Sequence, residues 1–153
     1  MLRARTFPSL ALLLAACSTP RAAAHDAASD SAVPQVRDAG TRAILIDPAH
    51  PAWSERAPDT FRARFETTRG VFVLEVVRAW APIGADRFYN LIRHGYYDDV
   101  RFHRTVPDFI TQWGISGDPE VSAVWYERGM ADDTVLASNE RGTMAFAFTD
   151  SGT

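Results

Sequence analysis

Residues 101–114 read Arg101-Phe102-His103-Arg104-Thr105-Val106-Pro107-Asp108-Phe109-Ile110-Thr111-Gln112-Trp113-Gly114. Val100 to Val106 has the residue types of a strand, and Pro107, which cannot donate to a ladder, ends it. Arg104 is followed by an aromatic ring at Phe109 and a side-chain amide at Gln112. His103 and Arg104 are neighbours, so on a strand their side chains face opposite sides. Upstream, Phe61, Ala63, Phe65 and Thr67 alternate with Arg62, Arg64 and Glu66, the period of a half-buried strand. Arg69-Gly70 is a turn signal and Val71 to Val77 a second strand, so the two form a hairpin. Ala81-Pro82 opens a helix, with proline in the first turn, where a missing N–H does no harm. Phe88, Leu91 and Ile92 give that helix one apolar face, and Gly95 is a stop signal. Downstream of Gly114 the chain reads as loop through Gly129, and Gly142 to Phe148 is a last apolar run. The order β-β-α-β-loop-β predicts a mainly β fold, an antiparallel sheet or barrel with a helix across its end.

Phe102 to Gln112 resembles the signature of the cyclophilin-type peptidyl-prolyl isomerases. The flanks agree. Phe65-Glu66-Thr67-Thr68-Arg69-Gly70 is similar to that family's opening hairpin, and Ala81-Pro82, Phe88 and Leu91 to its first helix. Gly95-Tyr96-Tyr97-Asp98 resembles the turn before the signature strand. Asn139-Glu140-Arg141-Gly142-Thr143-Met144-Ala145 resembles the run into its central core strand. The resemblance covers the folded part, residues 61–153, and implies a cyclophilin-like antiparallel β-barrel capped by a helix.

The chemistry that this implies is rotation about X–Pro bonds. A peptide bond resists rotation by ~18–20 kcal/mol because of its partial double bond. X–Pro bonds interconvert unaided in roughly tens to hundreds of seconds. Catalysis needs a holder for the proline ring and a donor that disfavours amide resonance, with no nucleophile, metal or cofactor. A guanidinium supplies rigid donors and keeps its charge in any environment. By resemblance Arg104 is that catalytic donor, and Phe109 and Ile110 are apolar walls for the ring. Gln112 hydrogen-bonds the substrate backbone and helps orient Arg104. Ala145 and Ala147 match small groove residues, and Phe146 stands where the family pairs its main chain with the substrate backbone. The implied partners are proline-containing polypeptides. Against this, Arg104 can be read as one more surface arginine and Phe109 as core. His103 is expected to be structural. His50 and His94 have no partner at metal-ligand spacing, and no metal site is expected. The acidic pairs Asp98-Asp99 and Asp132-Asp133 lack a calcium-loop pattern and are expected to be solvated.

Composition narrows the alternatives. The chain has 153 residues, 46% hydrophobic and 23% charged, which is ordinary for a globular domain. Its formal net charge of -3 gives no basic footprint for nucleic acid. All 16 basic residues are arginine, which excludes Schiff-base lysine chemistry and a Walker-type loop in this sequence. One cysteine excludes an internal disulfide, a CxxC pair and a cysteine-based zinc cage.

That cysteine closes a distinctive N-terminus. Arg3 and Arg5 make a positive start, and Leu10 to Ala16 is an apolar run too short to span a bilayer. Leu14-Ala15-Ala16-Cys17 resembles the lipobox of bacterial lipoproteins, in which the cysteine is lipidated and becomes the mature N-terminus. An ordinary secretory signal with an incidental cysteine is the alternative. The resemblance implies a signal peptide over residues 1–16, lipid on Cys17 and anchoring to a membrane of the bacterial cell envelope. Ser18, which is not Asp, implies the outer membrane, facing the periplasm. Residues 17–43, rich in Ala, Ser, Asp and Pro and free of aromatics, read as the lipidated cysteine and a flexible tether. Residues 44–60 read as a lead-in, and 61–153 as the N-terminal part of the cyclophilin-like domain.

Some positions differ from the family pattern. Asp108 stands for a usual Gly, Ile110 for a common Met, Trp113 for a Gly, Phe146 for a common Asn and Arg87 for a helix Asn. Trp113 is expected to narrow or reshape the groove. The chain stops at Thr153, where a further aromatic strand, a Trp-bearing loop and a pocket His follow in the family, so the barrel is expected to be truncated on its C-terminal side. Two functions are carried forward: a peptidyl-prolyl isomerase acting on exported or envelope proteins, and a non-catalytic lipoprotein that keeps the barrel as a peptide-binding module.

Overall fold

The structure, a computed structural model, describes residues 2–7 and 38–147, with Leu2 and Phe7 described by backbone only. Its first sheet holds β1 (Leu2–Phe7), β2 (Thr60–Thr67) and β3 (Gly70–Val77) in that order, all antiparallel. Its α-helices are α1 (Ala39–Ile46), α2 (Pro82–Arg93) and α3 (Pro119–Tyr126). The expected hairpin is β2–β3, with Thr67 opposite Gly70. The Thr67 hydroxyl pins the turn by donating to the Gly70 carbonyl and accepting from the Arg69 N–H. Gly70 sits at φ +127°, which side chains strain to adopt, so the turn signal is a steric requirement.

The alternation on β2 sends Phe61, Ala63 and Phe65 into the core. Helix α2 lays Phe88, Leu91 and Ile92 on them. Phe65 is fully buried, stacked on Phe72 at 5.0 Å and met edge-on by Trp113 at 5.0 Å. Burying one such ring stabilises the fold by about 1.5–3 kcal/mol.

Three polar devices lock α2 in place. Asn90 Nδ2 donates to the carbonyls of Trp53, Glu55 and Asp86 at 3.1, 2.8 and 2.9 Å. Asp86 takes a two-pronged grip from Arg78, at 2.8 and 2.7 Å, and accepts from the Ala57 N–H at 2.8 Å. The Arg78 hydrogen bonds hold the Asp86 carboxyl below its ordinary value of 3.8. Its contribution is therefore present above that value and is lost as pH falls through the lower folded value. Asp86→Asn should remove this component, so that urea midpoints of variant and parent converge as pH drops below about 4. A gap unchanged from neutral to acid pH would refute the linkage.

The third device corrects the reading of Asp133 as solvated. Ala81 precedes α2 and offers no capping side chain. The Asp133 carboxylate does the capping from a distant loop, accepting from the N–H groups of Ile83 and Gly84 at 3.0 and 2.8 Å. Asp133→Ala should cost about 1 kcal/mol of stability in urea titration, as loss of a helix cap does.

Other expectations are corrected as well. The tether over residues 17–43 does not extend through 43, and the lead-in at 44–60 contains helical structure. Helix α1 crosses that boundary, capped by Asp38, and a 3-10 turn follows at Pro51–Ser54. The expected loop after Gly114 contains helix α3, capped by Asp118 with Pro119 in its first turn. The two helices pack together: Leu45 and Val121 are fully buried, and Trp125 Nε1 donates to the Leu45 carbonyl at 2.8 Å. Arg42 bridges to Asp118 at 3.0 Å and to Glu120.

The second sheet is a small hairpin of β4 (Arg104–Val106) and β5 (Ile110–Gln112). The strand expected from Val100 is only three residues long, and β5 is a strand that the sequence does not announce. Residues 143–147 of the last apolar run join no described strand. The described residues thus form a mixed fold of two antiparallel sheets and three α-helices, and not a closed mainly β barrel. Residues 2–7, expected as the start of a leader, are the edge strand β1, whereas Cys17 lies outside the described residues.

Candidate active site

The β4–β5 hairpin sets Arg104 opposite Gln112, Thr105 opposite Thr111 and Val106 opposite Ile110. Opposed residues of an antiparallel pair emerge on one face, so the register delivers the guanidinium to the amide. Arg104 Nη1 donates to Gln112 Oε1 at 2.8 Å. The other end of that amide, Nε2, carries two donors. The His103 backbone N–H extends the ladder to the Gln112 carbonyl at 3.1 Å.

The tip is closed by the Phe109 N–H on the Val106 carbonyl at 3.2 Å. Asp108 turns there at φ +56°, a left-handed geometry that aspartate tolerates better than most residues, so the substitution for glycine keeps the turn. Phe109 is 78% exposed, which excludes it from the core. Ile110 beside it is also exposed. The two belong to the same hairpin as the Arg104–Gln112 pair, and among the described residues they stand at its tip and do not line an enclosed pocket.

Trp113 departs from its expected role. It packs beneath the hairpin, with ring centroids 5.0 Å from Phe65, 5.2 Å from Tyr97 and 6.0 Å from Phe102. It therefore fastens the hairpin to the first sheet and to the segment that follows α2. The following Gly114, at φ +116°, lies where an added Cβ would meet the Tyr97 ring at 3.7 Å. Tyr97 is buried, which pushes its phenol well above the ordinary value and keeps it neutral.

The second group of expected site residues is not brought to Arg104 by any described contact. Ala145 and Ala147 are exposed, in irregular backbone. The Phe146 ring seats on α2, perpendicular to Phe88 at 6.5 Å, and an added Cβ on Gly84 would meet it at 3.6 Å. Arg87, also on α2, lies over the Trp125 ring at 5.3 Å and donates to the Arg128 carbonyl at 3.0 Å. Burial lowers its pKa.

His50 and His94 are occupied locally. His50 Nδ1 accepts from the Ala52 N–H at 3.2 Å, and His94 meets Trp53 edge-on at 5.0 Å. Among the described residues no group of three His, Cys, Asp or Glu could hold a metal ion. Two hollows of about 410 and 330 Å³ are lined by β1 and the end of α2, sharing no residue with the hairpin.

An open hairpin with an ordered guanidinium, an amide and a free ring suits an extended polypeptide better than an enclosed small molecule. The model of the family described as cyclophilin type peptidyl-prolyl cis-trans isomerase/CLD matches residues 62–153, the stretch that contains the hairpin, α2 and the Phe146 run. The chain belongs to the cyclophilin-type peptidyl-prolyl cis-trans isomerase family.

Curated relatives agree. The chain is 34% identical over 114 residues to peptidyl-prolyl cis-trans isomerase-like 2 of Gibberella zeae, covering 71% of this chain and 19% of that protein. It is 42% identical over 65 residues to peptidyl-prolyl cis-trans isomerase-like 1 of Mus musculus, covering 40% of this chain and 37% of the relative. Against peptidyl-prolyl cis-trans isomerase CYP18-2 of Arabidopsis thaliana it is 46% identical over 54 residues, covering 35% and 31%. The chain thus spans well under half the length of each of these eukaryotic relatives. No solved structure matches significantly.

Proposed function

We propose that the protein isomerises X–Pro bonds in exported or envelope polypeptides, with Arg104 as the catalytic donor. The observation that carries this reading is the Arg104 Nη1–Gln112 Oε1 hydrogen bond at 2.8 Å, inside the segment that the family model covers. A guanidinium held by a neighbour loses less freedom when it engages the twisting amide. Gln112 positions Arg104 and offers its Nε2 to the substrate backbone. Phe109 and Ile110 receive the proline ring, and Ala145, Phe146 and Ala147 supply the second side of the groove. The two described sheets belong to one cyclophilin-like barrel, which brings those two sides together. The test is isomerisation of an Xaa-Pro peptide by the full chain. Acceleration that depends on Arg104 supports the reading.

The rival, a peptide-binding lipoprotein without catalysis, draws on one observation, the 78% exposure of Phe109. A ring so open can grip an extended peptide without enclosing its proline. Binding of proline peptides with no acceleration would favour that rival.

The cellular setting belongs to the same proposal. Cys17 carries lipid and begins the mature chain at a bacterial envelope membrane, the outer membrane on its periplasmic side. The support is the lipobox-like run before the single cysteine of the sequence. Among the described residues no helix is long and apolar enough to cross a membrane. Mass spectrometry of membrane-extracted protein should show an acylated N-terminal cysteine, and Cys17→Ser should release the chain from the membrane fraction. A mature chain that begins elsewhere would exclude the lipid anchor.

A further inference from the structure

Val106, Pro107, Asp108 and Phe109 form the turn at the tip of the β4–β5 hairpin, closed by the Phe109 N–H on the Val106 carbonyl. Proline second and a left-handed residue third is the pattern of a type II turn, whose third position favours glycine or asparagine. Asp108 holds that position at φ +56°. Its side chain takes no part in closing the turn. Among the described residues the carboxylate makes no hydrogen bond and no ion pair, and the residue is exposed. The backbone thus fixes a negative charge beside the exposed Phe109. Arg104 lies at the other end of the hairpin, in the pair farthest from the tip. Residues two apart on a strand share a face, and so do opposed residues. Arg104, Gln112, Val106 and Ile110 therefore form one face that runs from the cation to the tip.

We propose that Asp108 selects among substrates, favouring X–Pro bonds that have a lysine or arginine close to the proline. The proposal rests on the reading of Phe109 and Ile110 as the seat of the proline ring. A polypeptide with its proline there and its prolyl carbonyl at Arg104 carries neighbouring residues past the tip. An extended chain advances about 3.3 Å per residue, so the side chain that reaches Asp108 belongs to a residue within roughly one to four positions of the proline. A cationic side chain there is attracted, and an acidic one is repelled. Glycine or asparagine would make the same turn without that bias, so what aspartate adds at this position is its charge. One exposed ion pair contributes little to stability. Selectivity is a difference between two affinities, however, and in that difference the attraction and the repulsion add.

Three peptides that share a central Ala-Pro bond, flanked on both sides by Lys, by Gln or by Glu, test this with the full chain. Isomerisation and binding are both measured at low ionic strength. The expected order of kcat/KM is Lys, then Gln, then Glu. The first and last should differ by about three- to tenfold, the size of one exposed attraction set against one repulsion. The ratio should contract as salt is added. Asp108→Asn removes the charge and keeps a residue that tolerates left-handed backbone, so it should bring the Lys-to-Glu ratio close to one. Glu127→Gln removes one negative charge from the exposed end of α3 and should leave the parental ratio. Equal falls in the two variants would overturn the proposal, because the preference would then follow net charge. A parental ratio near one, or one that Asp108→Asn does not move, would overturn it too. So would a uniform loss across the three peptides, the mark of a purely structural role. If no peptide is accelerated, the catalytic reading fails by itself, and the binding constants of the same peptides decide on Asp108 by the same ratio. A chain that neither accelerates nor binds any of them overturns both.

Discussion

Arg104→Ala is expected to lower kcat/KM for an Xaa-Pro peptide by about 10²–10³, the usual effect of removing a preorganised donor, worth ~3–4 kcal/mol. Holding the proline ring does not speed rotation by itself, because planar and twisted amides are then held alike. In the proposed mechanism the guanidinium discriminates, hydrogen-bonding the nitrogen lone pair that appears as resonance is lost. Arg104 is exposed and its hydrogen-bonded partner is Gln112, so its removal should leave the core intact and the circular dichroism spectrum unchanged. Arg104→Lys should rescue little, because a point charge lacks the planar fork that reaches Gln112 and substrate together. A folded Arg104→Ala protein with near-parental activity would remove this mechanism and leave the peptide-binding reading ahead.

The largest effect on stability is expected from Asn90→Asp, about 3 kcal/mol in urea unfolding at neutral pH. Asn90 is 2% exposed, and its Nδ2 faces three carbonyl oxygens within 3.1 Å. An ionised aspartate would put an acceptor against three acceptors, buried and without a cation. Protonation restores one O–H donor, so the deficit should shrink toward acid pH. That trend separates lost hydrogen bonding from a simple change of shape. A variant within about 0.5 kcal/mol of the parent at neutral pH, the range of an ordinary surface substitution, would show that the three contacts do not hold the segment.

The parts of the fold legible in the sequence are those with strong periodic signals. The alternation of Phe61, Ala63 and Phe65 marks β2, and the spacing of Phe88, Leu91 and Ile92 marks α2. The Arg104–Gln112 pair is legible only through the motif. Its geometry depends on a register that three-residue strands are too short to announce. Helix α3 escapes a sequence reading although Asp118-Pro119-Glu120 is a proper start, because eight residues with an exposed Tyr126 leave a weak apolar stripe. The tether composition runs into α1 because the helix begins with small and polar residues, and Leu45 finds its cover only in tertiary structure. The role of Asp133 has no local signature, since a cap supplied from a loop 49 and 50 residues away leaves no neighbouring signal. The position of Trp113 in the motif suggests a narrowed or reshaped groove, whereas its ring packs inward on Phe65.

The packing of α1 on α3 sets a timetable for the nascent chain. Arg42 and Asp118 are 76 residues apart, and Leu45 and Trp125 are 80 apart. At roughly 5–20 residues per second on a ribosome, α1 waits about 4–16 s for its partner to be synthesised. An isolated helix of this length is marginal in water, so over that interval α1 is a frayed segment with Leu45 uncovered. The α1 segment is therefore made early and finished late, and any holdase or export factor that meets the growing chain meets it unfolded.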